Sequence, residues 1–395
     1  AVVPGRGDYW DPAFHFPDGS RRVTGYATDI ITDMSVDFIE RHKDTPFFLM
    51  CHHKAPHRNW QYHPRYAGIH APGTIPLPPT FEDDYANRAA AAAAAKMRVR
   101  SDMLYEDLGL VQPEGGSEIA GELLVNYWQM RKIPDLQEGE TITVTCAETG
   151  EQFKFSDPKE FAEFKYQRYL RTVQAIDDGV GRILDKLDEL ALSDNTVVIY
   201  TSDQGFFLGE HGWFDKRFMY EESFQMPFLC RYPAEIPAGS LSSDIACNVD
   251  FSPTFLDWAG VKKPSYMQSV SMRQMLRGQT PSDWDQVAYH RYWMHNDEIH
   301  EAWAHYGVRD HRYKLIYWYN KDLGQAGARP NGAPPEWELF DCQKDPMELL
   351  NVAKDPAYVH VFIDMLAKLD VKQADIGDTP EHDSRSVLAG LLKGG

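Results

Sequence analysis

Apolar positions recur at helical spacing in two long stretches of the chain. Residues 27–43 carry Ile30, Ile31, Met34, Phe38 and Ile39 at that spacing. Residues 160–192 repeat it with Tyr169, Val173, Ile176, Val180, Ile183, Leu184, Leu187 and Leu190. Side chains three and four residues apart share one face of a helix, so each stretch predicts an amphipathic helix.

A short apolar run follows each of these predicted helices. Residues 46–51 read PFFLMC and residues 195–200 read NTVVIY. Short runs that are apolar throughout are typical of strands buried on both faces. A helix followed by such a strand, found twice, predicts an α/β fold with a large, mostly parallel sheet flanked by helices. Ligands of such sheets bind at the carboxyl ends of the strands, which is where polar clusters begin at residues 52 and 203.

The pattern changes near residue 285. Residues 313–319 and 337–340 predict strands of a smaller antiparallel sheet, and residues 357–369 predict a helix that covers it. We therefore expect a larger α/β domain over residues 1–284 and a C-terminal α+β subdomain over residues 285–395.

Two further segments interrupt the larger domain. The alanine run at residues 89–95, flanked by Arg88 and Lys96, predicts a helix whose small side chains permit close packing. Residues 113–158 are polar and rich in Gly and Glu, with a strand-like TITVT at 141–145. This segment predicts an insertion on the surface.

Composition restricts the partners of the chain. The formal net charge of −19 does not steer the chain to nucleic acid, and it repels anionic substrates at long range, so an anionic substrate needs basic residues concentrated at its site. No apolar run reaches the roughly 18 residues that span a bilayer, and the first residues do not resemble a signal peptide. The five cysteines are irregularly spaced and form neither a disulfide framework nor a metal ribbon.

Residues 202–216 carry the strongest chemical signal. Asp203 offers a carboxylate and Gln204 an amide oxygen directly after a predicted buried strand, and two hard oxygen ligands suit Ca²⁺ or Mg²⁺. Glycines at 205, 209 and 212 let the backbone turn tightly around an ion. An Asx turn after a strand explains the SDQG sequence as well.

Two basic and aromatic clusters accompany this segment. The run HHKAPH at residues 52–57 could bind a tetrahedral oxyanion through Lys54 and its histidines, although a solvated loop or a transition-metal site has the same composition. The run YHRYWMH at residues 289–295 places Arg291 and His295 among aromatic side chains, which can stack on sugar rings and pair with anionic groups. A strand with alternate residues in the core explains the aromatics equally well.

Taken together, these stretches resemble the sulfatase family of the alkaline phosphatase superfamily. The resemblance follows the family's order along most of the chain, and the matching residues are 4–9, 46–57, 195–216, 249–257 and 339–351. It implies an alkaline-phosphatase-like fold and hydrolysis of sulfate esters, here of a sulfated carbohydrate. In this family a formylglycine made from Cys or Ser is the nucleophile, and a calcium ion with basic residues holds the sulfate.

The resemblance also implies roles for individual residues. Asp203 and Gln204 match two of the family's calcium ligands, and Ca²⁺ is expected in preference to Mg²⁺. His57 and Lys216 match its sulfate-binding His and Lys, while His211 lies in the substrate-facing turn of the motif. Lys54, Arg291 and His295 complete the expected substrate-binding set. The family further implies a periplasmic or secreted location.

The chain departs from the family's pattern at its start. The family's paired aspartates, nucleophile motif and Lys-x-His pair belong before the first matching loop, and no cysteine of this chain begins the nucleophile motif. We therefore expect that the formylglycine lies on an upstream segment or a separate chain, and that this chain alone is catalytically incomplete. Two alternatives stay open: a phosphate or phosphonate monoester hydrolase of the same superfamily, and a non-catalytic protein that binds sulfated glycans.

Overall fold

The computed structural model describes residues 8–70, 74–113 and 131–391. Residues 114–130 of the predicted insertion and residues 4–7 of the first matching loop lie outside the described residues. The chain divides into two compact units, one formed by the described residues up to Phe81 with Arg98–Thr196, the other by Glu82–Met97 with the described residues from Val197 onward. The predicted boundary at residue 285 stays a prediction.

The predicted helices and most of the predicted strands are present. The described helices are α1 (Ala27–His42), α2 (Ala90–Ala94), α3 (Pro158–Glu189), α4 (Glu221–Phe224), α5 (Phe251–Trp258), α6 (Arg273–Leu276), α7 (Val359–Ile376) and α8 (Ser384–Leu391). The described strands are β1 (Ala13–Phe16), β2 (Gly19–Arg22), β3 (Ile142–Thr145), β4 (Gln152–Phe155), β5 (Val198–Thr201), β6 (Phe207–Leu208), β7 (Phe214–Asp215), β8 (Phe228–Arg231), β9 (Ala288–Tyr292), β10 (His305–Arg309), β11 (Tyr313–Trp318) and β12 (Glu336–Asp341). The α/β class predicted from the sequence is confirmed.

The first unit is organised by the packing of α1 against α3. Asp157 caps α3 by accepting a hydrogen bond from the Lys159 amide, with Pro158 at the first helical position. At the contact, Gly179 of α3 lies against Thr32 of α1, so closely that a Cβ on Gly179 would be 2.5 Å from the Thr32 hydroxyl oxygen. That hydroxyl donates to the Thr28 carbonyl and lies 3.1 Å from Nε2 of His53. The helix contact therefore also holds the loop that follows residue 51.

The second unit is organised by a sheet of four antiparallel strands in the order β12-β11-β10-β9. Alternate residues of β11 face opposite sides, since Leu315 and Tyr317 pack with α7 while Ile316 and Trp318 pack with α2. The period of two in a strand produces this division. The predicted C-terminal antiparallel sheet with a covering helix is thereby confirmed.

The alanine run forms α2, as predicted, and packs on this sheet. Ala91, Ala92 and Ala95 are fully buried together with the large rings of Trp213 and Trp318. Small side chains on the buried face of α2 let its backbone approach these rings closely. The first amides of the segment are satisfied by the sheet, because Glu338 accepts from the Ala89 amide at 2.7 Å.

The large, mostly parallel sheet is not among the described residues. Every strand pairing in them is antiparallel, including that of β5 with β8. Residues 46–51, predicted as a buried strand, are not assigned to a strand, and Phe48 and Met50 are exposed. Sequence alone could not determine the partner of β5, because an apolar run does not specify which strand it pairs with.

Two glycines of α3 provide a matched test of the α1–α3 contact. We expect Gly179→Ala to lower the free energy of unfolding by about 1–3 kcal/mol, because the added methyl displaces Thr32 and overpacks the contact. Gly181 has no atom within 4 Å of an ideal Cβ. We therefore expect Gly181→Ala to stabilise the protein by up to about 1 kcal/mol through helix propensity. Denaturant unfolding of both variants measures the difference, and equal effects would contradict the close contact.

Candidate functional site

In the first unit, Lys54 and His57 are attached to one carbonyl group. Lys54 Nζ donates to the Arg58 carbonyl oxygen at 2.6 Å, and His57 Nδ1 lies 2.7 Å from the same oxygen. A carbonyl accepts and cannot donate, so Nδ1 of His57 carries the proton and Nε2 is the ring nitrogen directed elsewhere. The predicted anion-binding Lys and His are thus adjacent and are oriented by a shared acceptor.

The backbone around His57 is held by buried groups. Tyr9, itself buried, donates its hydroxyl to the His57 carbonyl at 2.7 Å. The two residues after His57 are anchored by two adjacent acids, since Arg58 donates to Asp107 at 3.2 Å and Asn59 donates to Glu106 at 3.1 Å. Burial raises the pKa of Glu106 to about 7, and the hydrogen bond from Asn59 lowers it only in part.

In the second unit, Asp203 and Gln204 follow β5 directly. Asp203 is exposed, and the hydroxyl of Ser202 lies 3.4 Å from its carboxylate. An exposed carboxylate beside an amide oxygen fits the oxygen donors that a hard cation prefers. Within the described residues, no group of three or more His, Cys, Asp or Glu side chains is arranged to hold a metal. The two residues therefore fit part of a hard-cation site, and their role as ligands stays a prediction.

Lys216 follows a buried, charged cluster at the end of β7. Asp215 has a positive φ of 77° and accepts from the Lys216 amide at 2.6 Å, which fixes the backbone at the lysine. The other carboxylate oxygen of Asp215 lies 3.2 Å from Nε2 of His300, and His300 Nδ1 lies 2.9 Å from Asp297. The ammonium group of Lys216 is 3.7 Å from Asp215, and its side chain is 20% exposed. Lys216 is therefore positioned beside buried carboxylates, and its side chain is partly exposed.

His211 is at the centre of a buried network in the same unit. Its Nδ1 lies 2.8 Å from Asp83, which also forms an ion pair with Arg88, and its carbonyl accepts from Tyr85 at 2.7 Å. Burial alone would raise the pKa of Asp83, but the hydrogen bond from His211 and the charge of Arg88 outweigh it and lower that pKa. The ring of His211 is fully buried against Trp213 and Tyr220.

The burial of His211 bears on its predicted role. The described structure places its ring within the turn that leads from Gly209 to Lys216, where it supports the shape of that turn. The left-handed backbone of His211, with φ of 55°, is held by these contacts. Direct contact of His211 with a substrate stays a prediction.

Arg291 and His295 are both enclosed in the second unit. The Arg291 side chain is 5% exposed, pairs with Asp378 at 2.7 Å and lies 3.9 Å from the ring centre of Trp293. His295 is fully buried and accepts from the Ala304 amide at 3.1 Å. Trp293, in contrast, is 46% exposed. Sugar binding by Arg291 and His295 stays a prediction, and the exposed ring of this cluster is that of Trp293.

Among the predicted residues, the structure brings together two pairs, each within one unit. Lys54 and His57 are neighbours in the first unit, and the segment with Lys216 and His211 forms one connected turn in the second. The convergence of His57 and Lys216 on one anion involves both units and stays a prediction. Sequence reasoning missed Asp83, Glu106, Asp107, Asp215 and Asp297, because acids in turns carry no motif of their own.

The described part of the chain has no helix that is long and apolar enough to cross a membrane.

Comparison with known proteins shows which family this chain resembles. Residues 3–261 match the family described as Sulfatase, and residues 209–375 match the family described as N-sulphoglucosamine sulphohydrolase, C-terminal. The N-acetylglucosamine-6-O-sulfatase of Bacteroides thetaiotaomicron is 40% identical over 97% of this chain, which covers 68% of that protein. A putative extracellular sulfatase Sulf-1 homolog of Caenorhabditis elegans is 28% identical over 65% of the chain, which covers 29% of that protein.

The fold has a close counterpart among solved structures. A protein solved in complex with its substrate, D-glucosamine-2-N,6-O-disulfate, superposes with a TM-score of 0.80 and 37% sequence identity. The match covers 96% of this chain and 76% of that one. The relatives are thus longer than the chain described here.

Proposed function

Because this chain belongs to the sulfatase family, we propose that it hydrolyses the sulfate ester of a carbohydrate and that the substrate class is 6-O-sulfated glucosamine. The observation that carries the substrate class is the 40% identity, over 97% of the chain, with a sulfatase that acts on N-acetylglucosamine 6-O-sulfate. A relative of 37% identity binds a glucosamine sulfated at the same oxygen. The Caenorhabditis elegans relative, described as extracellular, supports a periplasmic or secreted location.

The basic residues act on the sulfate in this proposal. Lys54 and Lys216 donate to its oxygens, and their charges counter the negative charge that grows on these oxygens in the transition state. His57, whose Nδ1–H is held by the Arg58 carbonyl, donates to the sulfate from Nε2 when that nitrogen also carries a proton. The carbonyl of Arg58 and the carboxylate of Asp215 fix these donors before the substrate arrives. The whole chain has a net charge of −19 and repels anions at long range, so such local donors are needed to bind an anionic substrate.

Asp203 and Gln204 would hold the metal of the family, for which we propose Ca²⁺. The ion takes 6–8 oxygen ligands, so most of the ligands would come from residues other than these two. When bound, the cation and the family's formylglycine supply charge neutralisation at the sulfate and the nucleophile, respectively.

Specificity for the sugar is assigned to the cluster around β9. Arg291, held by Asp378, supports the exposed ring of Trp293, and an exposed aromatic ring can stack on a pyranose. We propose that this cluster contacts the sugar rather than the sulfate, with the exposed Trp293 ring as its contacting surface and the buried Arg291 and His295 as its interior. Variants at Arg291 should then change the preference among sulfated sugars more than activity on a small aryl sulfate, and equal losses on both substrates would refute this assignment.

The proposed function is tested by a substrate panel with the intact protein. Sulfate release is measured from N-acetylglucosamine 6-sulfate, from N-acetylgalactosamine 6-sulfate and from an aryl sulfate, beside a phosphate and a phosphonate monoester. We expect the glucosamine derivative to have the highest kcat/KM. Faster turnover of the phosphorus esters would instead favour the phosphate or phosphonate hydrolase. Binding of the sulfated sugars without turnover would favour the non-catalytic binding protein.

Lys216 provides a direct test of the anion-binding assignment. We expect Lys216→Ala to lower turnover of the preferred sulfate ester on the order of 10²-fold or more, because a preorganised cationic donor is lost from the transition state. Lys262, an exposed lysine of the same unit, is the matched control, and Lys262→Ala should leave the rate unchanged. Turnover of Lys216→Ala within a factor of about two of the unmodified protein would contradict the assignment.

Asp203 provides the corresponding test for the metal. We expect Asp203→Ala to weaken Ca²⁺ binding, measured by calorimetry on the intact protein, because one of the charged ligands is removed. Asp283→Ala removes an exposed carboxylate of the same unit and serves as the control. Unchanged Ca²⁺ affinity in Asp203→Ala would remove Asp203 from the ligand set.

A further inference from the structure

The donors Lys54 and His57 depend on the placement of one peptide group. Both are hydrogen-bonded to the Arg58 carbonyl oxygen, at 2.6 Å and 2.7 Å. That bond selects the Nδ1–H tautomer of the neutral ring. If the carbonyl were displaced, His57 would lose both its fixed orientation and its fixed tautomer. The position of the Arg58 carbonyl is therefore a requirement for the proposed binding of the sulfate.

Two adjacent acids hold the residues on either side of this carbonyl. Asp107 accepts from the Arg58 guanidinium at 3.2 Å, and Glu106 accepts from the Asn59 side-chain amide at 3.1 Å. The backbone is also tied, because the Trp60 amide donates to the Asp107 carbonyl at 2.8 Å. Glu106 and Asp107, which are consecutive in one turn, thus hold residues 58–60 of another turn.

Glu106 is the member of this pair without a second structural task. Asp107 also accepts from the Leu104 amide and so shapes its own turn. Glu106 and Asn59 are both more than nine-tenths buried, and the second carboxyl oxygen of Glu106 has no hydrogen-bond partner in the described residues. A buried carboxyl with one unpaired oxygen costs folding free energy, which a purely structural site would avoid by using an apolar residue.

We infer that Glu106 is a positioning residue of the sulfate-binding site: through Asn59 it fixes the Arg58 carbonyl and thereby orients His57 and Lys54. The inference rests on the proposed role of His57 in binding the sulfate. Glu106 is buried behind the loop and acts through Asn59, so it is not a catalytic residue. Asp107 acts beside it by holding the side chain of Arg58.

The first test compares variants of Glu106 in the intact protein. We expect Glu106→Ala to lower kcat by about 10–100-fold, with little change in KM, as is usual when the support of a functional side chain is removed. Glu106→Gln keeps an oxygen that accepts from Asn59, and it should recover most of the activity. Glu151→Ala removes an exposed carboxylate of the same unit and should match the unmodified protein. Unmodified kcat in Glu106→Ala would overturn the inference.

The second test asks whether Glu106 acts through His57 and Lys54. In a background that carries both Lys54→Ala and His57→Ala, the additional change Glu106→Ala should have no further effect on kcat, because both side chains that it orients are already absent. Asn59→Ala, a milder truncation, should reproduce the effect of Glu106→Ala and should not add to it. Additive losses in either pair would show that Glu106 works by another route and would overturn the inference.

The third test does not depend on activity. Nitrogen NMR of histidine-labelled protein, with His57→Gln to assign the signal, reports which ring nitrogen of His57 carries the proton. We expect the Nδ1–H tautomer in the unmodified protein and a mixture in both Glu106→Ala and Asn59→Ala. An unchanged tautomer in either variant would overturn the inference. If the unmodified protein hydrolyses no sulfate ester, the proposed function fails, and this measurement still decides the link from Glu106 to His57.

Discussion

A buried carboxylate connects the sheet of the second unit to the turn that carries Lys216. Glu338 of β12 accepts from the Ala89 amide and from Trp318, and so fixes the start of α2 on the sheet. The segment before α2 is then held in place, and its Asp83 orients His211 in the turn. Without the contacts of Glu338, the hydrogen bond between Asp83 and His211 would not be anchored to the sheet. The chemistry of the turn is thus anchored in the core of the C-terminal sheet.

The two units use the same physical device to prepare cationic groups. In the first unit a backbone carbonyl, held by acids, collects Lys54 and His57; in the second, the carboxylate of Asp215 fixes the backbone of Lys216. Lys54 and His57 share one carbonyl acceptor, and Lys216 is fixed through its backbone amide. Such prior orientation lowers the reorganisation that binding an anion requires.

The sequence predicted local structure well and long-range partners poorly. The period of 3.6 residues located α1 and α3, and the alanine run located α2, because these signals are contained within each segment. The burial of Arg291 depends on Asp378, which lies 87 residues further along the chain. Likewise, the antiparallel pairing of β5 with β8 and the support of Asn59 by Glu106 are properties of distant segments. Motifs identified the candidate donors, whereas the acids that hold them had no pattern of their own.

Because several histidines are buried, the unfolding of this protein exchanges protons with the buffer. Burial lowers the pKa of His53 and His290 to about 4 and that of His305 to about 3, so unfolding between about pH 3 and 6.5 takes up protons at these rings. Burial raises the pKa of Glu106 and Glu338 to about 7, so unfolding between pH 4.5 and 7 releases protons there. The histidines favour the folded state as pH rises, and the two carboxyls favour it as pH falls. Their effects offset each other, and a flat profile of stability against pH would conceal both sets. The heat of unfolding, compared between buffers of different ionisation enthalpy, would reveal the net number of protons transferred.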